Sequence, residues 1–239
     1  MAQAVAIPAR RGDLERRVDD IRFLVFGRSL PAILFALLGY RVLMNLLSQV
    51  HGLPSHAGPG DVLAGPLTTG VYLLFCVIPV GIYLIRPRPR ARDGRLVARS
   101  AALVGTTMLL VVGAFSSPVL FTPPLFVRAA AVPLTLGAFA VGVYGLLYLR
   151  RNLSIIPEAR RLVTSGPYRL VRHPLYAAEI LSAVALVLAR PGLWATLALA
   201  PFIWVQMLRA TFEERLLSRA FPEYRSYAAR TRRLIPLLW

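Results

Sequence analysis

The chain has 239 residues, 56% of them hydrophobic, with a mean hydropathy of +0.60 and a formal net charge of +17. That apolar fraction excludes an ordinary soluble domain. In a soluble protein the charge would point to nucleic acid, but here the arginines lie between apolar runs, and no nucleic-acid partner is expected.

The arm 1–22 interleaves Arg10, Arg11, Arg16 and Arg17 with Asp13, Glu15, Asp19 and Asp20. No short apolar stretch with a small-residue cleavage site follows, so a cleaved signal peptide is not expected. A helix crosses the hydrocarbon core with about 20 apolar residues. Four runs meet that requirement, at 23–47, 67–85, 100–121 and 129–149. Arg28 and Arg41 sit near the ends of the first, where long side chains reach the headgroups. Cys76, the single cysteine, lies inside the second, excluding an intrachain disulfide or a cysteine-based zinc site. It reads as a small buried hydrophobe. His51 and His56 lie in a Gly- and Pro-rich loop, 48–66, without the i,i+4 spacing of a helical metal pair; no metal site is expected. The Arg/Pro run at 86–90 reads as a headgroup-facing linker.

After a polar stretch, 150–173, come two shorter apolar runs, 174–189 and 193–208, joined at "RPG". They read as a helical hairpin. The expected fold is therefore all-α: a polytopic membrane protein of four transmembrane helices, a C-terminal helical hairpin and a cytoplasmic C-terminal helix. Its regions are the arm 1–22, three spans over 23–128, and a C-terminal region 129–239. Of the 28 arginines, 24 lie in the arm, 86–99, 150–172 and 209–233, against one in the loops 48–66 and 116–128 together. Arginine excess marks the cytoplasmic side. Both termini are expected there, in a multi-pass protein of a prokaryotic plasma membrane, its arginines facing anionic lipid headgroups.

Ionisable groups concentrate in the last third. In "GPYRLVRHPLYAAEI", Gly166-Pro167 signals a turn and Pro174 suits the first position of a helix. A helix starting there aims free amides and its positive end toward Arg172 and His173, a setting that attracts carboxylates and phosphates. Tyr168 and Tyr176 flank it. In "QMLRATFEERLLSRAFPEYRSYAARTRRLIP", Gln206, Arg209, Ala210 and Glu213 form one helical stripe. Glu213 and Glu214 stand where the last apolar run ends, Phe221-Pro222 breaks the helix, and Tyr224 and Tyr227 share a face of a short basic helix. Taken singly, each stretch also fits an interfacial belt of arginines and aromatics. Joined by a hairpin, they form a basic rim and an acidic rim at one mouth, suited to a ligand bearing both a carboxylate and hydroxyl or ammonium groups.

"RHPLYAAEIL", followed about forty residues on by "EERLLSRAFPEYRSYAARTRRLIP", resembles the integral-membrane methyltransferases of the isoprenylcysteine carboxyl methyltransferase and phospholipid methyltransferase group. The likeness covers roughly 145–236, with Ala178 where that group carries glycine. It implies an S-adenosylmethionine site without a Rossmann domain, in keeping with the lack of a G-x-G-x-x-G turn. By that resemblance Tyr168, Arg172, His173, Pro174, Tyr176, Glu213, Glu214, Tyr224 and Tyr227 contact the cofactor, and 129–239 is the catalytic region. Arg172 and His173 would take the methionyl carboxylate; the two acids would take the ribose hydroxyls or the amino group. A carboxylate acceptor needs a cation, for which Arg209 is the candidate. An amine acceptor needs a base, Glu213 or Glu214. The acceptor, a prenylcysteine carboxylate, phospholipid amine or small thiol, would arrive from the bilayer. Glu179 either faces that junction or pairs with an arginine such as Arg209. Two other classes fit the pattern less well: an NADPH-dependent membrane reductase of the sterol-reductase type, and a non-enzymatic scaffold or transporter.

Overall fold

The computed structural model describes residues 13–53, 63–114 and 118–235. Arg10, Arg11 and His56 of the sequence reading lie outside them. Helix α1 (Asp13–Arg22) passes through a wide π-helical turn (Phe23–Ser29) into α2 (Leu30–His51). Then follow α3 (Thr68–Ile85), α4 (Leu96–Ala114), α5 (Leu125–Leu149), α6 (Pro174–Ala189), α7 (Leu193–Ala220) and α8 (Tyr224–Arg230). Among the described residues the one small sheet is an antiparallel pair of two-residue strands, β1 (Ala91–Arg92) and β2 (Glu158–Ala159).

Among the described residues, four helices are long and apolar enough to cross a membrane: Glu15–His51, Gly65–Ile85, Leu125–Asn152 and Leu193–Ala220. Their outer faces carry exposed apolar side chains such as Leu37, Leu74, Leu147 and Trp204, which lipid covers. These helices are not quite the four runs read from the sequence: 100–121 is not among them, and the second arm of the hairpin is. The third predicted span, 100–121, is the 19-residue α4, and residues 118–124, with Pro118, Pro123 and Pro124, are not helical. The second arm of the hairpin does not stop at 208. No proline or glycine interrupts the chain after Met207, so α7 runs on for 28 residues until Phe221-Pro222 ends it.

The helices do not pack in chain order. The principal contacts run α2–α3–α5–α6–α7–α4, placing α4 on α7 rather than beside its neighbours in sequence. Small residues set these contacts, as in membrane bundles generally. A Cβ at Gly142 of α5 would meet the Phe75 ring of α3 at 2.9 Å and Ala178 of α6 at 3.5 Å. One at Gly105 of α4 would lie 2.5 Å from Arg209 Cδ of α7. Ala178, the departure from the family pattern, therefore spends its methyl on the α5–α6 contact.

The arginine-rich segments meet at one end of the bundle. Arg28 donates to the Arg86 carbonyl at 2.8 Å, and β1 pairs with β2 across 66 residues of chain. Glu158 is buried there among Arg160 (2.7 Å), Arg92 (2.9 Å) and Arg86 (3.5 Å), and Ser154 donates to it at 2.7 Å. Burial alone would raise the Glu158 pKa; Arg160, Ser154 and Arg86 outweigh it and hold the carboxyl below its usual range. At the opposite end, Leu120 and Leu193 exchange backbone bonds with Pro191 and Pro118, tying the α4–α5 loop to the hairpin turn.

Candidate functional site

The two rims expected from the sequence are in direct contact. Glu214 receives Arg172 Nε at 2.9 Å and His173 Nε2 at 3.1 Å on one oxygen, and Arg233 at 3.3 Å on the other. Arg172 also donates through Nη1 to the carbonyls of Ala228 (2.8 Å) and Thr231. The tail itself lies along the start of α6: Arg172 N–H donates to the Arg232 carbonyl at 2.7 Å, and His173 N–H to the Arg233 carbonyl at 3.0 Å. Arg172 and Glu214 thus form a partly buried clamp that closes the C-terminal tail over the mouth of the hairpin. With Nε and Nη1 engaged, Arg172 has only Nη2 to offer a ligand.

Glu213 faces another way. It accepts the Tyr176 hydroxyl at 2.9 Å on Oε2, and His173 Nδ1 lies 3.8 Å away. Tyr176 stacks on His173, with centroids 5.3 Å apart and rings 11° from parallel, and Arg209 lies under the Tyr176 ring at 4.7 Å. Arg209 is buried. Its Nη1 donates to Gln206 at 2.7 Å and to Glu179 at 3.3 Å, and Gln206 also donates to Glu179. The helical stripe on α7 and two residues of α6 therefore build a chain of support, Glu179–Gln206–Arg209–Tyr176–Glu213.

Above this chain is a cavity of ≈ 40 Å³, lined by Tyr168, His173, Glu213, Tyr224 and Tyr227 and closed from the other side by Asn152, Glu158 and Arg160–Val163. Arg172 contributes to its wall; Pro174, Tyr176, Arg209 and Glu214 do not line it. The Tyr227 hydroxyl donates to the Tyr168 carbonyl at 2.7 Å, and the Tyr224 and Tyr227 rings meet edge to face at 6.0 Å. Burial pushes the Tyr227 hydroxyl up to about 12, and Tyr168 and Tyr224 well above the usual phenol range. All three remain neutral donors at physiological pH. Two buried polar atoms of the lining have no hydrogen-bond partner: Tyr224 Oη and Arg160 Nη1. Buried donors are rarely left unpaired unless something else satisfies them.

Sequence reasoning missed Glu158, Arg160 and the 161–163 cover. No periodicity marks that stretch; the doubled arginine Arg160-Arg161 is its one local signal. Arg160 is fixed by Glu158 and by the Pro87 carbonyl, which it reaches through Nε at 2.8 Å.

Fold and site together define a polytopic helical membrane protein with a polar, aromatic-walled cavity at one end of its bundle. Over residues 129–224 the chain matches the family described as phospholipid methyltransferase, which bears out the resemblance read from the sequence. The chain is 41% identical over 80 residues to the cobalt-zinc-cadmium resistance protein CzcN of Cupriavidus metallidurans, over 32% of this chain and 36% of that one. It is 40% identical over 84 residues to the nickel-cobalt-cadmium resistance protein NccN of Alcaligenes xylosoxydans xylosoxydans, over 34% and 38%. The likeness spans little more than a third of these relatives' length.

Proposed function

We propose that the protein transfers a methyl group from S-adenosylmethionine to a lipid-like or membrane-associated acceptor at the cytoplasmic face of the membrane. The observation that carries this reading is the donor and acceptor set around the cavity: one unpaired guanidinium N–H, one unpaired phenol and the Glu213 carboxylate, between aromatic walls. A molecule with a carboxylate, an ammonium, vicinal hydroxyls and a flat ring has a partner there for each part. The match of 129–224 to a methyltransferase family supports it independently. At ≈ 40 Å³ the cavity is water-sized, so in this reading a nucleoside fits only when the 161–163 cover moves.

In this reading Arg160 Nη1, which has no partner within the protein, takes the methionyl carboxylate beside Arg172 Nη2. Glu213 accepts from the amino group or ribose hydroxyls, and Tyr168, Tyr224 and Tyr227 hold the adenine and its surroundings. When bound, the cofactor supplies an electrophilic methyl on a sulfonium. The chain's own task is to align an acceptor with that methyl and exclude water, which orientation alone rewards with roughly 7–11 kcal/mol. A carboxylate or thiolate acceptor needs no base. An amine acceptor loses its proton to Glu213, whose orientation Tyr176 and Arg209 fix. Glu214, engaged by Arg172, His173 and Arg233, holds the tail instead.

The test is transfer of labelled methyl to a membrane lipid extract by the purified protein, with NADPH oxidation measured alongside. Methyl incorporation that Glu213→Gln lowers by about 100-fold, a typical loss for a general base or its equivalent, supports the reading. NADPH consumption without methyl transfer overturns it.

A further inference from the structure

A second and larger space, of ≈ 900 Å³, opens between α3 and α5 at the arginine-rich end. Its floor is apolar: Ile78, Ile82 and Ile85 recur on one face of α3, and Leu146 and Leu147 face them from α5. Ile85 and Leu147 are more than half exposed. Its crown is cationic: Arg88, Arg90, Arg150, Arg151, Arg160 and Arg161, with no Asp or Glu in the lining. Arg88 pairs with Asp20, and Arg160 with Glu158. Among the described residues no carboxylate pairs with Arg90, Arg150, Arg151 or Arg161. Helices α3 and α5 both end here, each contributing about half a negative charge. Four unpaired guanidiniums outweigh that by about three charges. Arg150 is also the one described non-glycine residue with positive φ, at 48°, a strained conformation that turns the cationic cluster out of the α5 axis.

We propose that this groove binds one anionic phospholipid, its acyl chain along Ile78, Ile82 and Leu147 and its phosphate among Arg150, Arg151 and Arg161. An apolar trough of this size with a few charged groups at one end has the form of a ligand site. Its charge, in a leaflet rich in anionic lipid, selects the headgroup. The site is separate from the cofactor cavity but shares Asn152, Arg160 and Arg161 with it, so the bound headgroup lies beside that cavity. The inference does not depend on which molecule is methylated, or on whether methyl transfer occurs.

The experiment is native mass spectrometry of the detergent-purified full chain with dioleoyl phosphatidylglycerol or dioleoyl phosphatidylcholine at equal concentration. The wild type is expected to retain the anionic lipid about a hundredfold more strongly, from roughly a kilocalorie for each of the three arginines. The double variant Arg150→Gln/Arg151→Gln loses most of that preference and leaves phosphatidylcholine retention unchanged; Arg161→Gln reduces it by a smaller factor. All three residues are exposed, so the fold survives, and circular dichroism confirms it. Equal retention of both lipids by the wild type, or undiminished phosphatidylglycerol retention in the double variant, overturns the proposal. S-adenosylmethionine titrations on the same samples keep the two readings apart: a missing cofactor response with intact lipid selectivity counts against methyl transfer alone.

Discussion

Tyr224 is buried, yet its hydroxyl has no partner. Such a group costs about 1–3 kcal/mol, so Tyr224→Phe is expected to leave thermal stability unchanged or slightly raised. If the hydroxyl is kept for a ligand, the same change weakens S-adenosylmethionine binding by about tenfold. Unfolding temperature and calorimetric affinity, measured together, separate a ligand donor from a structural one; a drop in stability with undiminished affinity contradicts the account. The two neighbouring glutamates divide in the opposite sense. Glu214→Ala removes the carboxylate that Arg172, His173 and Arg233 share and is expected to destabilise the protein by about 3 kcal/mol, as breaking a partly buried ion cluster does. Glu213→Gln keeps the fold and loses function. In the sequence the two acids were indistinguishable, because adjacency on a helix hides a 100° difference in direction. What the sequence did show was the stripe of Gln206, Arg209 and Glu213, since it depends only on helical spacing within one element.

At the level of elements, the 150–172 segment is fastened to the end of α3 through Glu158. Its carboxyl is held below its usual value of 4.5, so the cluster's contribution is complete above that value and is lost as pH falls through the depressed one. Thermal unfolding followed from pH 7 downward should show a stability loss on the acid side that Glu158→Gln largely removes; parallel curves for the two proteins would contradict this. Near Glu158 the sequence offered only the doubled arginine Arg160-Arg161 as a signal of the cluster. Its partners Arg86 and Arg92 lie about seventy residues away, and only the crossing of α3 and α5 brings them together. The α4–α7 contact is equally non-local. Because a Cβ at Gly105 would collide with Arg209, Gly105→Ala should displace Arg209 from beneath Tyr176. It is expected to lower methyl-transfer kcat about tenfold, with cofactor affinity little changed, as for a residue that acts through another. Steady-state kinetics on the variant decides it.

For the whole molecule, hydropathy and arginine placement made the polytopic helical class legible, because both respond to the bilayer rather than to packing. The order of helices across the bundle was not, since it depends on where small residues allow close approach. The arginine-rich end is predicted to be cytoplasmic. Cys76, the only thiol, is buried, so single reporters can be read without background. An impermeant maleimide should label Ser165→Cys in inverted vesicles and Ser48→Cys in right-side-out ones; the reverse pattern would invert the topology and separate the site from cytoplasmic cofactor. The most direct measurement is a calorimetric titration of the detergent-purified full chain with S-adenosylmethionine. The account predicts saturable binding of one molecule per chain, weakened at least about tenfold in both Tyr224→Phe and Arg160→Gln. Absence of binding, or affinity unchanged in both variants, would contradict it.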